Sequence, residues 1–299
     1  MLDIDQQFHD TLVSRTILHA SALNTVFQYL QNLYILNDPA DELTPYRLRD
    51  VLGIPSLRSL RGYNIDFGGV RISPHPRVKE LVLEYDLVRC PRSISTLLRA
   101  YAGLELLSLQ SGYPALTEEE GPIVNYSGIG DTLRQLGTNL LSLDIRLYDS
   151  EAGSEDDDLE DKTLLGSLVA LTSLQRLRLG YDALYGGVRM SNERPVAWLR
   201  EILPLSLESL EITDIRCEEQ ELLNKQVKAL VGDDRFFKLG FVSVRRDIPP
   251  EDDDFVVEDV REGWEVASQA ACIELWKTGS VMRRRTAESD EDEDEEEEE

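Results

Sequence analysis

A chain of 299 residues with 41% hydrophobic side chains can build a long core, yet it has no apolar run near the ~18 residues that a membrane helix needs. A formal charge of -26 argues against binding a phosphate backbone, which requires a basic surface, and permits basic partners. Cys90, Cys217 and Cys272 are scattered and form no CxxC pair, so a disulfide framework or zinc site is not expected and the thiols read as reduced, in an intracellular protein.

The opening stretch, "MLDIDQQFHDTL", has neither the basic start nor the apolar centre of a secretory signal. Residues 1–29 read as a helical cap. From residue 30 one spacing recurs: an apolar residue, another three on, and a third two further on. It appears as Leu30, Leu33, Ile35; as Leu57, Leu60 with Gly62 in the third place; as Val78, Leu81, Leu83; and as Leu104, Leu107, Leu109. It continues as Leu140, Leu143, Ile145; Leu174, Leu177, Leu179; Leu207, Leu210, Ile212; and Phe236, Leu239, Phe241. A helix face repeats at three and four, and a half-buried strand alternates strictly. Three-then-two describes a short strand entered from a turn.

The eight sets start 21 to 36 residues apart. Most spacers carry a short amphipathic segment: "ALNTVFQYL", "YRLRDVL", "SISTLLRAYA", "GDTLRQLG", "TLLGSLVAL", "VAWLREIL" and "EEQELLNKQVKAL". Strand, loop and helix at this period predict an α/β leucine-rich-repeat solenoid of about eight irregular repeats over residues 30–242. Its curved parallel sheet would line the concave side and its helices the convex side. One such unit cannot bury its own apolar face, whereas stacked units share a core.

Beyond the repeats, 243–254 ("RRDIPPEDDD" within it) is a charged linker. Residues 255–281 read as a capping helix, "FVVEDVREGWEVASQAA", and a strand, "CIELWK", with Ile273 and Leu275 inward. Residues 282–299 read as a disordered tail, because a run with 11 acidic residues in its last 14 has nothing to bury. Removing those 11 charges from -26 still leaves -15, so the remainder is acidic too.

Catalytic and metal-binding patterns are missing from the sequence. His9, His19 and His75 share no metal spacing, and there is no G-x-S-x-G, H-E-x-x-H or P-loop. "SGIG" at 127–130 reads as a loop leading into a helix at Asp131. "EDDDLED" lacks the glycine and closing glutamate of a calcium loop and reads as solvated. No cofactor, metal or catalytic residue is expected.

Binding is the better-supported expectation. Residues between the leucines point away from the core. One such row is Tyr34, Arg61, Val82, Ser108, Asp144, Arg178, Glu211 and Gly240; a second is Asn32, Ser59, Glu80, Leu106, Ser142, Arg176, Ser209 and Lys238. Asp144, Arg178 and Glu211 would form an ion ladder. Arg176, with only serines beside it, would anchor a partner, helped by Tyr34, Arg61, Tyr63, Arg146 and Arg178. Long connections at 110–128, 148–161 and 181–196 would crowd one rim, as binding insertions or as tolerated drift.

"LTSLQRLRLGYDALYG" followed by "AWLREILPLSLESLEI", and later "EVASQAACIELW", resembles the leucine-rich-repeat region of fungal F-box-type proteins. The resemblance spans roughly residues 20–277 and is most specific over 165–212. It implies a non-enzymatic protein-recognition solenoid, with ubiquitin-ligase components among the partners. The F-box segment itself is not found in residues 1–29. Acidic leucine-rich nuclear proteins share the layout of a solenoid plus acidic tail, which suggests basic partners such as histones as an alternative.

Overall fold

In the computed structural model the structure describes residues 2–4, 29–36, 54–63, 74–84, 91–110, 126–136, 139–147, 164–185, 195–215, 220–246, 264–269 and 272–277. Each apolar set runs into a strand: β2 Asn32–Leu36, β3 Ser59–Tyr63, β4 Glu80–Glu84, β5 Leu106–Gln110, β6 Ser142–Arg146, β7 Arg176–Gly180, β8 Ser209–Ile215 and β9 Phe241–Arg246. With β1 Leu2–Ile4 they form nine parallel strands in sequence order. Two antiparallel strands complete the sheet, β10 Trp264–Gln269 and β11 Cys272–Lys277, with β11 next to β9.

The three-then-two spacing has a simple cause. The first apolar residue closes a tight turn, its N–H donating three residues back: Leu57 to Ile54, Val78 to His75, Leu104 to Tyr101, Leu174 to Leu171, Leu207 to Pro204 and Leu239 to Phe236. The next two lie on the inner face of the strand. Leu33, Leu60, Leu81, Leu107, Leu143, Leu177, Leu210 and Val242 are register partners in succession and all are buried. Gly62 sits in register between Ile35 and Leu83, so the weakest set keeps its place in the ladder without a side chain.

Five α-helices are described: α1 Pro91–Ala100, α2 Tyr126–Leu136, α3 Tyr181–Tyr185, α4 Trp198–Ile202 and α5 Gln220–Val231. Leu97, Leu133, Leu184, Leu199, Leu223 and Leu230 join the strand leucines in one buried cluster, which places the helices over one face of the sheet.

Several expectations are corrected. The set at Phe236 starts one turn too early: Phe241 pairs with Ser209, while Val242 and Val244 pair with Leu210 and Ile212. A period of two sends a strand displaced by an odd number of residues to its opposite face, so the inward pair here is Val242 and Val244. Leu2–Ile4, expected in a helical cap, is a strand, because the open edge of β2 offers backbone partners to an alternating L-D-I. Residues 264–269, expected as helix, pair antiparallel with β11, and Leu275 of β11 is buried as expected.

"GSLVAL" is not helical. Residues 164–168 run without helix, Gly166 has φ 80°, and Arg134 Nη1 donates to the Leu165 and Ser167 carbonyls at 2.9 and 3.2 Å. Residues 127–130 lie inside α2 rather than in a loop before it, since α2 packs directly on that segment. A Cβ at Gly130 would collide with the Leu165 carbonyl oxygen. The segments 5–28, 46–52 and 278–299 lie outside the described residues.

His75 and Tyr101 occupy turn positions that are apolar in other units. His75 Nε2 donates to the Ile54 carbonyl at 2.7 Å, its Nδ1 has no partner among the described residues, and its ring meets Tyr101 edge-on at 6.4 Å. The Tyr101 hydroxyl is buried without a hydrogen-bond partner among the described residues, and burial pushes its ionisation above the ordinary phenol range.

Three stability changes follow, each read by chemical denaturation. Alanine at Leu143, Leu177 or Leu210 should cost about 2–5 kcal/mol. Gly130→Ala should destabilise measurably, because backbone would have to move. Tyr101→Phe should be neutral or stabilising, since it removes a buried hydroxyl that makes no bond among the described residues.

Candidate functional site: the outward face of the sheet

The face opposite the helices carries three rows that run across the strands. The middle row is Tyr34, Arg61, Val82, Ser108, Asp144, Arg178, Glu211 and Ser243. The row before it is Asn32, Ser59, Glu80, Leu106, Ser142, Arg176, Ser209 and Phe241. Register therefore replaces the expected Gly240 and Lys238 with Ser243 and Phe241. The third row includes Tyr63, Glu84, Gln110 and Arg146.

The expected ion ladder forms only in part. Arg178 Nη2 reaches Glu211 Oε1 at 3.2 Å, and Arg178 Nε is buried without a hydrogen-bond partner among the described residues. Asp144 turns along its own strand instead. Arg146 grips it with two bonds, Nε to Oδ1 at 2.9 Å and Nη2 to Oδ2 at 3.0 Å. Residues two apart on a strand share a face, and the planar guanidinium suits a two-point grip on a carboxylate. Gln110 Nε2 donates to Asp144 Oδ2 at 3.2 Å and to Ser108 Oγ at 2.9 Å; Ser108 Oγ donates to Asp144 Oδ2 at 3.3 Å.

Of the six predicted contact residues, Arg146 and Arg178 are thus already engaged within the face. The Arg61 and Arg176 side chains are exposed and make no ion pair or hydrogen bond among the described residues. Tyr34, half-buried, is the register neighbour of Arg61, and Tyr63 stands two residues further along the same strand. The Asp144 network could not be anticipated from rows alone, because it runs along strand β6 and back to β5 in the third row.

Near the far end of the strands, β8 bulges between Ile212 and Ile215, and Asp214 takes φ 63°. Thr213 Oγ1 donates to Asp214 Oδ2 at 2.7 Å. Gly180 leaves that carboxylate its space, since a Cβ there would come within 3.0 Å of Oδ2.

The expected rim loop 181–196 begins as α3, whose Tyr181, Ala183, Leu184 and Tyr185 are buried. The two tyrosine rings stack at 4.5 Å, the Tyr185 hydroxyl donates to Gln226 Oε1, and Gln226 Nε2 donates to the Pro195 carbonyl at 3.2 Å. "YDALY" is thus packing material, because its apolar side chains, its stacked rings and the Tyr185 hydroxyl find partners inside. The remainder of the three loops, 111–125, 148–163 and 186–194, lies outside the described residues. Among the described residues no group of three His, Cys, Asp or Glu is placed to hold a metal ion, and no helix is long and apolar enough to cross a membrane.

No family model matches the chain, and no curated protein matches it either.

Removing either partner of the engaged pairs should separate from removing the free cations. Glu211→Ala leaves the half-buried Arg178 uncompensated and should cost about 1–3 kcal/mol. Arg176→Ala or Arg61→Ala should cost under about 1 kcal/mol, as for exposed charges. Equal losses by urea denaturation would contradict this assignment of partners.

Proposed function

We propose that the chain is a leucine-rich-repeat solenoid that recognises another protein on its outward, concave sheet face, without catalysing a reaction. The observation that carries the reading is the division of charges on that face. Arg146 is paired with Asp144 and Arg178 with Glu211, whereas the Arg61 and Arg176 side chains stand exposed with no described partner. An exposed arginine beside Tyr34 and hydroxyl groups is the residue chemistry enriched at protein contacts. The resemblance to F-box leucine-rich-repeat proteins supports the same reading, and makes a substrate-binding role toward an intracellular ubiquitin ligase the corresponding proposal.

A second reading has its own support. Eleven of the last 14 residues are acidic, and residues 151–161 add seven more carboxylates, Glu151, Glu155, Asp156, Asp157, Asp158, Glu160 and Asp161. Such runs recruit basic surfaces by raising the encounter rate, an effect screened by salt over ~8–10 Å.

Affinity capture from cell extract with three baits separates the two readings. If the face carries recognition, the double variant Arg61→Glu, Arg176→Glu should lose the partners of the unaltered chain at physiological salt, while deletion of 286–299 should keep them. Loss on tail deletion, with retention by the double variant, would favour the acidic reading.

A further inference from the structure

The row through Arg176 reads, strand by strand from β5 to β9, Leu106, Ser142, Arg176, Ser209, Phe241. It is symmetric in chemistry: a cation at the centre, a hydroxyl on each side, an apolar side chain at each end. Neither serine hydroxyl makes a hydrogen bond among the described residues, and Leu106 and Phe241 are partly exposed although they are large and apolar. Three adjacent donors with no acceptor form a place for an anion, and a guanidinium flanked by hydroxyls can bind two oxygens of one group.

Resting on the reading of this face as the recognition surface, we propose that the row binds an extended partner segment of the pattern apolar–x–x–anion–x–x–apolar, the anion being a carboxylate or a phosphate ester. The spacing supports the pattern. Strands lie ~4.8 Å apart, so Arg176 is ~9.6 Å from each apolar end of the row. A polyproline-II segment has three residues per turn and rises ~3.1 Å per residue, which puts every third side chain on one side at ~9.3 Å intervals. A segment crossing the strands in that conformation would set its anion over Arg176 and its apolar residues over Leu106 and Phe241. Such a segment also keeps the entropic cost of ordering low, since the free chain already favours this form.

The chain's own acidic tail suits the row less well. Its last 14 residues contain only Ala287 as an apolar residue, and a continuous acidic run extending past Leu106 would meet Glu80, the next member of the row.

The test uses the full chain and three labelled peptides: Leu-Pro-Pro-Glu-Pro-Pro-Leu, its Gln counterpart, and its phosphoserine counterpart. Binding is followed by fluorescence anisotropy and by the backbone amide resonances of Ser142, Arg176 and Ser209. The expected result is that the Glu peptide, the phosphoserine peptide or both bind about tenfold or more tightly than the Gln peptide. Arg176→Gln, checked for unchanged melting, should erase that preference, whereas Leu106→Ser and Phe241→Ser should weaken all three peptides alike. A Glu over phosphoserine order assigns the anion as carboxylate, and the reverse assigns phosphate. Equal binding of all three, or no resonance shift at millimolar peptide, would overturn the proposal. So would binding that emerges only after deletion of 286–299, because the tail would then be the occupant. If the peptides fail while Arg61→Glu, Arg176→Glu still loses its captured partners, recognition on this face survives and only the proposed ligand chemistry falls.

Discussion

Everything in this structure depends on one repeated hydrogen bond. At the entry to each strand from β3 to β9, a single carbonyl of the preceding unit accepts two consecutive N–H groups from the next. Gln31 receives Arg58 and Ser59; Arg58 receives Lys79 and Glu80; Lys79 receives Glu105 and Leu106; Glu105 receives Leu141 and Ser142. The series continues through Leu141, Gln175 and Glu208 to Gly240 and Phe241. A shared acceptor of this kind admits one offset between neighbouring strands. It therefore fixes the register of the whole parallel ladder, and the inward leucines align because the backbone gives them no alternative. Register is strongly specified wherever one face of a sheet is buried, so the buried leucines and the shared carbonyls enforce the same answer.

With the inner face committed to packing, the outer face is free to vary, and its chemistry is correspondingly diverse. Some of that diversity is spent internally: Arg146 and Gln110 close on Asp144, and Arg178 on Glu211. These pairs link β5 to β6 and β7 to β8 on this face. They also leave Arg176 and its flanking serines as side chains whose hydrogen-bonding capacity is not used among the described residues. On a chain of net charge -26, the described part of this face still keeps Arg61, Arg176 and Arg245 exposed.

The strands were legible in the sequence because their signal is strict: an apolar side chain placed at a turn, then two on one face of a pleat. Leu174, Leu177 and Leu179 suffice to locate β7 almost to the residue. Helical segments were less legible, since "GSLVAL" has helical apolar spacing but is held open by Arg134 of α2, a contact 31 residues away in sequence. Residues 264–269 alternate weakly and are strand only because β11 offers an edge. The error at Phe236 has the same origin. Phe236-x-x-Leu239-x-Phe241 and Leu239-x-x-Val242-x-Val244 both satisfy the spacing, and the choice between them is made by the carbonyl of Glu208. Of the candidate site, the rows and the isolation of Arg176 were readable, whereas the Asp144 network required knowing that Gln110 and Arg146 are neighbours across two strands.

The most direct test of the account is the register at β8 and β9, because it decides which residues complete the outward rows. Paired cysteines would be introduced at Ser209 and Phe241 in one protein and at Ser209 and Lys238 in another, with the native cysteines replaced, and treated with a short thiol cross-linker. Register partners lie ~4.8 Å apart, within its reach. The account predicts efficient cross-linking of the first pair and little of the second. Preferential cross-linking of residues 209 and 238 would contradict it, and would remove Phe241 from the face.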